Sequence, residues 1–249
     1  DVVADLPEKI EDTVMAQLTG EQRKLYLANQ DRIAQQVQHR EAGEFKKDKL
    51  KVLAELTKLR QICCDPRLHY EDYKAGSAKL DTCMELVHGT LDCGHRILLF
   101  SQFTGMLDII GKRLAKEDIA FLKLTGASSK ESRAKMVAQF QAGEVPVFLI
   151  SLKAGGVGLN LTAADVVIHY DPWWNVAAQD QATDRAHRIG QQHTVTVYKL
   201  IAKDTIEERI MQMQESKRDL VNSVLGGDGI SSALFTREDV LALLGGDGR

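Results

Sequence analysis

The stretch Arg96-Ile-Leu-Leu-Phe-Ser101 is a continuous apolar run of strand length, and it sets the expectation for the fold. A strand that is apolar along its whole length is typical of a parallel sheet whose two faces are both covered by helices. Runs of the same kind recur further along the chain, mostly separated by stretches in which apolar residues have helical spacing: 120–124, 147–151, 166–170 and 195–200. This alternation predicts an α/β fold, a doubly wound domain built on a parallel sheet.

Both ends of the chain have a different pattern from the strand-bearing middle. Residues 1–70 are mainly helical in pattern, since Thr19-Gly-Glu-Gln22 has the spacing of a helix-capping box and Asp65-Pro66 ends a second helix. Thr205-x-x-Glu208 begins another helix after the last strand, and a short helix starts near Thr236. We therefore expect helical attachments that pack against one α/β core.

Composition places the chain among ordinary globular proteins and excludes a strongly basic surface. Hydrophobic residues make up 44% of the 249 residues, and 32 basic against 35 acidic residues leave a formal net charge of -3. Such a chain has no global positive field for nucleic acid, so any DNA or RNA contact would be a local patch. The first residue is Asp1 rather than Met, and we expect a piece excised from a longer protein.

The cysteines give no sign of a disulfide framework or a zinc site. Cys63 and Cys64 are adjacent, and no two of the four cysteines have C-x-x-C spacing. We interpret them as reduced, mostly buried thiols of an intracellular protein and predict no metal site within this chain. No apolar run reaches the length of a membrane span, and no signal peptide opens the chain.

The stretch Gln181–Gln191, Gln-Ala-Thr-Asp-Arg-Ala-His-Arg-Ile-Gly-Gln, concentrates polar groups in an otherwise apolar half of the chain. Arg185 and Arg188 lie three residues apart, which on a helix would place both guanidinium groups on one face. Such a pair could reach a phosphate across a gap. A solvated helix face stabilised by charge pairs explains the stretch equally well, and both interpretations stay open at this point.

Two loops that follow predicted strands carry groups suited to phosphate. In an open α/β sheet, ligands bind at the carboxyl ends of the strands, so a site is expected there. Ser101-Gln102-Phe103 supplies small polar side chains after the first strand. Lys153 supplies a charge after the third strand. The glycines behind it let backbone amides approach a phosphate or ribose closely: Gly155, Gly156 and Gly158.

A third loop, Tyr170-Asp-Pro-Trp-Trp-Asn175, follows the fourth strand. Its adjacent indoles, Trp173 and Trp174, offer a stacking or wedge surface. Each of these features also has a plain structural explanation, since glycines serve turns with positive φ and tryptophans border hydrophobic cores. Only their order along the chain favours a functional site.

That order resembles the second RecA-like lobe of helicase-type ATPases, in which a glycine loop without the G-x-x-x-x-G-K-[ST] pattern precedes an Arg-x-x-Arg stretch. Nearly the whole chain is similar to the Swi/Snf family of superfamily-two DNA translocases, and more to its bacterial members than to nuclear ones. The resemblance is carried by Leu59–Leu68, Ser77–Leu80, Ser101–Phe103, 155–161, Asp171–Asn175 and Gln181–Gln191. It implies a RecA-like, P-loop NTPase-like fold in three parts: an interlobe helical linker and protrusion (1–74), the lobe itself (75–203) and brace helices (204–249).

The resemblance also implies roles for residues at matching positions. Arg185 and Arg188 would be arginine fingers that stabilise charge on the γ-phosphate, worth about 10³ to 10⁵ in rate, and Gln181 would help to organise the nucleotide pocket. Three positions would bind the nucleotide near its ribose and phosphates: Gly156, Gly158 and Asn160. Four would lie nearer the DNA backbone: Ser101, Gln102, Lys153 and Trp174. The chain departs from the family pattern at Thr125-Gly-Ala127, where Asp-Gly-Ser is frequent, and at Val176, where proline is common.

Two elements of a complete ATPase do not occur in this sequence, a Walker A loop and an Asp-Glu-x-His run. The resemblance assigns both to a first lobe outside this chain, together with most of the contacts to ATP and Mg²⁺. It therefore implies that the full-length protein is a DNA-dependent ATPase that moves along double-stranded DNA. It also implies that this chain alone binds ATP weakly and does not hydrolyse it.

The expected partners are double-stranded DNA, the N-terminal RecA-like lobe of the same protein, and a remodelled target that could be a nucleosome, another DNA-bound protein or RNA polymerase. The expected location is intracellular, with the nucleoid if the protein is bacterial and the nucleus if it is eukaryotic. Two alternatives are a non-catalytic docking or regulatory module and an RNA helicase lobe. The intact Arg-x-x-Arg pair argues against the first, and the Trp-Trp loop against the second.

Overall fold

The computed structural model describes residues 6–39, 42–154, 158–224 and 236–245. The chain divides into two compact units, each assembled from three segments. The first unit consists of Asp1–Val14, Leu80–Asp171 and Ala177–Leu200, and the second of Met15–Lys79, Pro172–Val176 and Ile201–Arg249. The assignment of 1–74 to a linker and protrusion and of 204–249 to a brace stays a prediction.

A six-stranded sheet forms the frame of the fold, and most of it belongs to the first unit. Its strands are β1 (Lys9–Gln17), β2 (Ile97–Ser101), β3 (Phe121–Leu124), β4 (Val147–Ser151), β5 (Val166–His169) and β6 (Val195–Lys203). Their spatial order is β1-β6-β5-β2-β4-β3, and the pairs β2–β4, β2–β5, β3–β4 and β5–β6 are parallel. Every residue of β2, β4 and β5 is buried. The predicted α/β fold with a parallel sheet is confirmed.

The edge strand β1 is a feature that the helical interpretation of residues 1–70 does not anticipate. Its apolar residues Ile10, Val14 and Ala16 lie on one face, but only Ala16 is buried and most side chains of the strand are exposed. Hydrogen bonds hold it instead, because Val195 N donates to Glu8 O at 3.0 Å and Lys199 Nζ to Glu11 Oε2 at 2.8 Å. Burial raises the pKa of Glu11, but hydrogen bonds from Lys199 and Lys9 outweigh it and bring that pKa to about 2.

The helical ends of the chain agree with two of the predicted boundaries. Within the described residues the α-helices are α1 (Gly20–Gln38), α2 (Ala42–Cys64), α3 (Ala78–Asp92), α4 (Thr104–Lys116), α5 (Lys130–Gln141), α6 (Val176–Thr183), α7 (Ile206–Val224) and α8 (Arg237–Leu243). The helix end at Asp65-Pro66 is confirmed, since a short 3-10 helix, Pro66–Leu68, begins there with Asp65 as its cap. Thr236 caps α8 through a reciprocal pair of bonds with Asp239.

The capping box predicted at Thr19 does not form. The Thr19 side chain makes no cap hydrogen bond, although α1 does begin at Gly20. Gln22 points inward instead, where its Nε2 donates to Ile62 O at 3.0 Å and its Oε1 accepts from Ala78 N at 3.0 Å. A buried amide with partners on two other segments is stabilised more than one that caps an exposed helix end, so the tertiary contacts prevail.

The second unit, which we call the helical unit, has its own apolar core and a fully buried ion pair. Lys79 Nζ lies 2.9 Å from both carboxylate oxygens of Glu207, and Ala202 N donates to Glu207 Oε2 at 2.8 Å. Burial, and secondarily the charge of Glu207, raises the pKa of the Cys63 thiol well above its usual value, so this thiol stays protonated. Side chains of this core include Tyr26, Ile33, Leu56, Leu59, Ile62, Ile206 and Ile210.

None of the described helices is long and apolar enough to cross a membrane. The described residues also contain no group of three or more His, Cys, Asp or Glu side chains that could hold a metal ion. All four cysteines are free thiols, with Cys93 exposed and the other three buried.

Replacing Lys79 by Met tests the importance of the buried ion pair. The variant leaves the Glu207 carboxylate buried without its cation, so we expect the free energy of unfolding in urea to fall by about 3 to 5 kcal/mol. Lys51→Met is the matched control, because Lys51 pairs with Asp48 at 3.1 Å while 78% of its side chain is exposed. That change should stay within about 1 kcal/mol. Equal effects of the two substitutions would contradict the assigned role of Lys79.

Candidate functional site

The arginines of the predicted phosphate site lie in consecutive turns rather than on a helix. Because α6 ends at Thr183, the expectation that a helix places Arg185 and Arg188 on one face is wrong. The helical ladder is already broken at Arg185, whose N donates to Ala182 O at 3.4 Å, three residues back, and the helix does not resume after it. The carbonyl of Arg185 accepts from Leu161 N at 3.0 Å, whereas a continuing helix would need that carbonyl for Ile189 N.

Arg185 lies partly buried beside two other guanidinium groups. Burial lowers the pKa of Arg185, and the positive charges of Arg133 and Arg188 lower it further, while Asp184 opposes them. The Nε atom of Arg185 is buried, and no described residue accepts a hydrogen bond from it. A buried cationic donor without an acceptor is unfavourable, so the arrangement suits an anion that completes it. The cluster therefore fits a phosphate group.

Arg133, on α5, is a member of this cluster that the sequence does not single out. Its Nη1 donates to Ala154 O at 2.9 Å, at one end of the glycine loop. At the other end, Nη1 of Arg188 lies 3.4 Å from Leu159 O. In the sequence Arg133 is one of several charged residues of an ordinary surface helix, and no spacing relates it to Arg185. Only the three-dimensional fold brings the two together.

The positions expected to line the nucleotide cleft are exposed where the structure describes them. Gly158, Asn160 and Gln181 are all exposed, while Gly156 lies outside the described residues. Gly158 has φ +97°, a backbone conformation that residues other than glycine rarely adopt. The turn explanation for this glycine therefore holds, and its backbone is also open to a ligand.

Gln191, the last residue of the arginine stretch, fixes the turns in place. Its buried Nε2 donates to three backbone carbonyls, those of Ala164 at 2.8 Å, Ala186 at 3.0 Å and Thr162 at 3.2 Å. Its Oε1 accepts from His193 N at 3.0 Å and Gln192 N at 2.9 Å. The amide group is thus used almost completely within the fold, and Gln191 has a structural role.

His169, at the end of β5, contacts the end of α6, directly before the turns that carry the arginines. Its Nε2 lies 2.9 Å from the hydroxyl of Thr183, the last residue of α6, and its ring stacks on Phe100 at 5.6 Å. Burial, aided by the positive charge of Lys199, lowers the pKa of His169 to about 3, so its ring is neutral at physiological pH. The sequence gives no signal for this role, because a histidine inside an apolar run fits several environments.

Asp171 joins the ends of β2 and β5. The Ser101 hydroxyl donates to Asp171 Oδ1, and Gln102 donates to Oδ2 through Nε2 at 2.8 Å and through its backbone N at 3.2 Å. Ser101 is fully buried, which favours a structural role over a contact with a strand of DNA. The assignment of Ser101 and Gln102 to DNA stays a prediction, with Gln102 the more accessible of the two.

A cavity of about 380 Å³ opens at the carboxyl ends of β2, β3 and β4. Gln102 and Lys153 both line it, together with Thr104, Thr125 and Gly126. The fold therefore brings together two of the predicted DNA-backbone residues. The side chain of Lys153 is exposed, so its charge is available at the mouth of this cavity.

Trp174 belongs to the helical unit, where a buried arginine orients its loop. The guanidinium of Arg60 lies 5.1 Å from the centre of the Trp174 ring, and Arg60 Nη2 donates to Pro172 O at 2.6 Å. Trp174 is partly buried against the helical core, and Trp173 is almost fully buried. The core-edge explanation thus fits Trp173, while Trp174 keeps an accessible part. Arg60 lies inside one of the stretches that carry the family resemblance, but its own role was not anticipated.

A parallel sheet with an arginine cluster and a glycine loop at its carboxyl edge defines the class of this chain as a helicase-type RecA-like lobe. Residues 78–190 match the family of helicase conserved C-terminal domains. The chain belongs to the SWI2/SNF2 family and corresponds to its C-terminal ATPase domain, in agreement with the resemblance found in the sequence.

Three comparisons support this assignment. The putative ATP-dependent helicase/translocase YwqA of Bacillus subtilis is 39% identical over 246 residues, covering 96% of this chain and 26% of YwqA. The Sulfolobus solfataricus SWI2/SNF2 ATPase C-terminal domain has a TM-score of 0.76 and 32% identity, covering 95% of this chain and 98% of that domain. The Sulfolobus ATPase core in complex with double-stranded DNA has a TM-score of 0.79 and 35% identity, covering 97% of this chain and 51% of that core. The chain spans 23% to 26% of the length of the first curated relatives it matches.

The role of Gln191 can be tested against its neighbour. Gln191→Ala removes the donor to three carbonyls, and leaving buried acceptors unsatisfied should lower the free energy of unfolding in urea by at least about 2 kcal/mol. Gln192→Ala is the control, because Gln192 is exposed and the change should stay within about 0.5 kcal/mol. A loss for Gln191→Ala no larger than that of the control would show that the turns do not depend on this amide.

The neutral state of His169 predicts a dependence of stability on pH. Its pKa in the folded protein, about 3, lies below the ordinary value of 6.5. The unfolded chain therefore binds a proton more readily, and the contribution of His169 to stability is lost as the pH falls from 6.5 towards 3. His169→Gln, which keeps a polar partner for Thr183 without a titrating ring, should give a flatter profile in urea unfolding over this range. Profiles of the same slope would exclude His169 as the source.

Proposed function

We propose that this chain is the second motor lobe of an ATP-dependent double-stranded DNA translocase and supplies the arginine fingers of its ATPase site. The observation that carries the proposal is the buried Nε of Arg185, which has no acceptor among the described residues and lies beside Arg133 and Arg188. Three guanidinium groups repel one another, and Asp184 offsets part of this repulsion at Arg185, so a further anion among them would be favourable. A terminal phosphate has the charge and the number of acceptor oxygens to satisfy them.

Each of the predicted nucleotide residues has a part in this proposal. ATP, held with Mg²⁺ mainly by a first lobe, would supply the phosphoryl group that is transferred to water. Arg185 and Arg188 would bind its outermost oxygens and stabilise the charge that develops there. Gln181 would contribute to the same pocket, and three loop positions would line its ribose and phosphate side: Gly156, Gly158 and Asn160.

The DNA side of the proposal rests on the cavity at the ends of β2, β3 and β4. Lys153 and Gln102 would bind backbone phosphate at its mouth, Ser101 would act through the bond that fixes Asp171, and Trp174 would contact DNA from the helical unit. These are contacts to phosphate, sugar and surface shape, which suit movement along any sequence. The Sulfolobus core with double-stranded DNA, similar over 97% of this chain, favours duplex DNA over RNA as the track.

The longer protein would act inside the cell where chromosomal DNA lies, in the bacterial nucleoid or in a nucleus. Its remodelled target would be a protein bound to DNA, such as a nucleosome or RNA polymerase. In this arrangement residues 1–74 would connect the lobes and 204–249 would brace them.

The proposal is tested by joining the chain to its first lobe and measuring ATP hydrolysis with saturating duplex DNA. We expect Arg188→Ala and Arg185→Ala each to lower kcat by about 10³-fold or more, with DNA affinity retained, because the lost contacts act on the transition state. Arg23→Ala, on the exposed face of α1, is the control and should leave kcat unchanged.

Three outcomes would contradict the proposal. Full DNA-stimulated activity in both arginine variants would remove the fingers from the mechanism and favour a docking module. Hydrolysis by this chain alone, well above background and stimulated by DNA, would show that no other lobe is needed. Stimulation by duplex RNA rather than duplex DNA would replace the translocase by an RNA helicase lobe.

A further inference from the structure

Ile189 is an apolar side chain that points into solvent directly beside Arg188. It is 79% exposed, and of the large hydrophobic residues described as exposed it is the most accessible. Burying a side chain of this size is ordinarily favourable, so an isolated folded lobe gains nothing from displaying it. Single exposed apolar residues are common on protein surfaces, and exposure alone would therefore carry no argument.

The backbone around Ile189 makes this exposure a fixed feature. Gln191 N donates to Arg188 O at 3.0 Å, which closes a four-residue turn with Ile189 and Gly190 at its centre. Gly190 has φ +102°, the value that the third position of a type II turn requires and that favours glycine. Gln191 then anchors the end of the turn through its bonds to three carbonyls. Ile189 is held outward by the same turn that positions Arg188.

Preorganised exposure of this kind is what a docking residue requires. Because the turn is already ordered, burial of Ile189 against a partner loses little backbone entropy, and most of the apolar gain remains. Its neighbours on the chain are charged or small, Arg188 before it and Gly190 after it, so Ile189 is the one large apolar side chain of this turn.

We propose that Ile189 is an apolar docking residue that becomes buried against the first motor lobe when the two lobes close around ATP. This inference rests on the proposed function, in which a phosphate held by that lobe reaches Arg188. Adjacent residues of one turn lie about 3.8 Å apart at their Cα atoms, so the surface that holds the phosphate must lie within contact range of Ile189. The curated relatives are about four times as long as this chain and have room for such a lobe. Duplex DNA is a poorer occupant, since its backbone offers phosphates and no apolar pocket.

Docking and catalysis make different kinetic predictions for this turn. Ile189 would be buried both in the closed ground state with ATP bound and in the transition state, so its loss should raise KM and leave kcat unchanged. Loss of the Arg188 guanidinium should instead lower kcat. The two neighbouring residues can thus be separated in one assay.

The experiment uses the two-lobed protein, with kcat and KM for ATP measured at saturating duplex DNA. Ile189→Val and Ile189→Thr are nearly identical in shape and differ in polarity. We expect Val to stay within about threefold of the wild-type KM and Thr to raise KM by about tenfold, the loss that corresponds to an unburied apolar group. Leu50→Thr, at a residue with 76% exposure in the helical unit, is the matched control and should change neither constant.

Three results would overturn the inference. A wild-type KM in Ile189→Thr would show that the side chain stays exposed on closure. A fall in kcat with an unchanged KM would show that the residue acts only by positioning Arg188. Self-association at assay concentrations that is lost in Ile189→Thr would make a second copy of the protein the occupant. In each case a loss of kcat in Arg188→Ala would leave the proposed function intact. If neither Ile189→Thr nor Arg188→Ala changes kcat or KM, the proposed function is contradicted together with the inference.

Discussion

The constraint on which the structure depends is that its central strands have no solvent-facing side. β2, β4 and β5 are buried along their whole length, which favours apolar side chains along them. Polar residues appear only where these strands finish, as Ser101, Ser151 and His169. The polar residues of these three central strands thereby lie at one edge of the sheet, the edge at which parallel α/β proteins bind their ligands.

At that edge some polar groups have hydrogen-bond partners within the fold, and others do not. Asp171 accepts hydrogen bonds from Ser101 and Gln102. The side-chain amide of Gln191 donates to backbone carbonyls through Nε2 and accepts from backbone N–H groups through Oε1. These satisfied networks fix the loops in single conformations. Arg185 is different, because its buried Nε lacks an acceptor among the described residues and its charge is opposed by two other arginines. The hydrogen-bonded loops around Asp171 and Gln191 thus form the fixed surroundings of the Arg185 side chain.

The sequence predicts the frame of this arrangement better than its fine structure. Apolar runs mark β2, β4 and β5 because burial on both faces leaves a strong signal, whereas β1, whose side chains are mostly exposed, leaves only a short alternating run. The sequence pattern extends α6 through the arginines, whereas in the fold the Arg185 carbonyl accepts from Leu161 N, in a distant part of the chain. Arg133 and Arg60 join their sites through folding alone. The stretches themselves could be found, but not which of their residues support the fold and which face a ligand.

The turn from Arg188 to Gln191 carries two features that are unfavourable in this chain alone: one guanidinium of the arginine cluster and an exposed isoleucine. Each would be relieved by a different chemistry, the first by an anion and the second by an apolar surface. Because one rigid turn carries both, a single approaching surface can relieve them only if it presents phosphate beside an apolar contact. Stored instability of this kind is expected where a site is completed by a partner, since groups optimised for the isolated fold would bind nothing. The geometry of the turn therefore restricts which surfaces can bind here, in addition to the restriction set by the positive charge of the arginines.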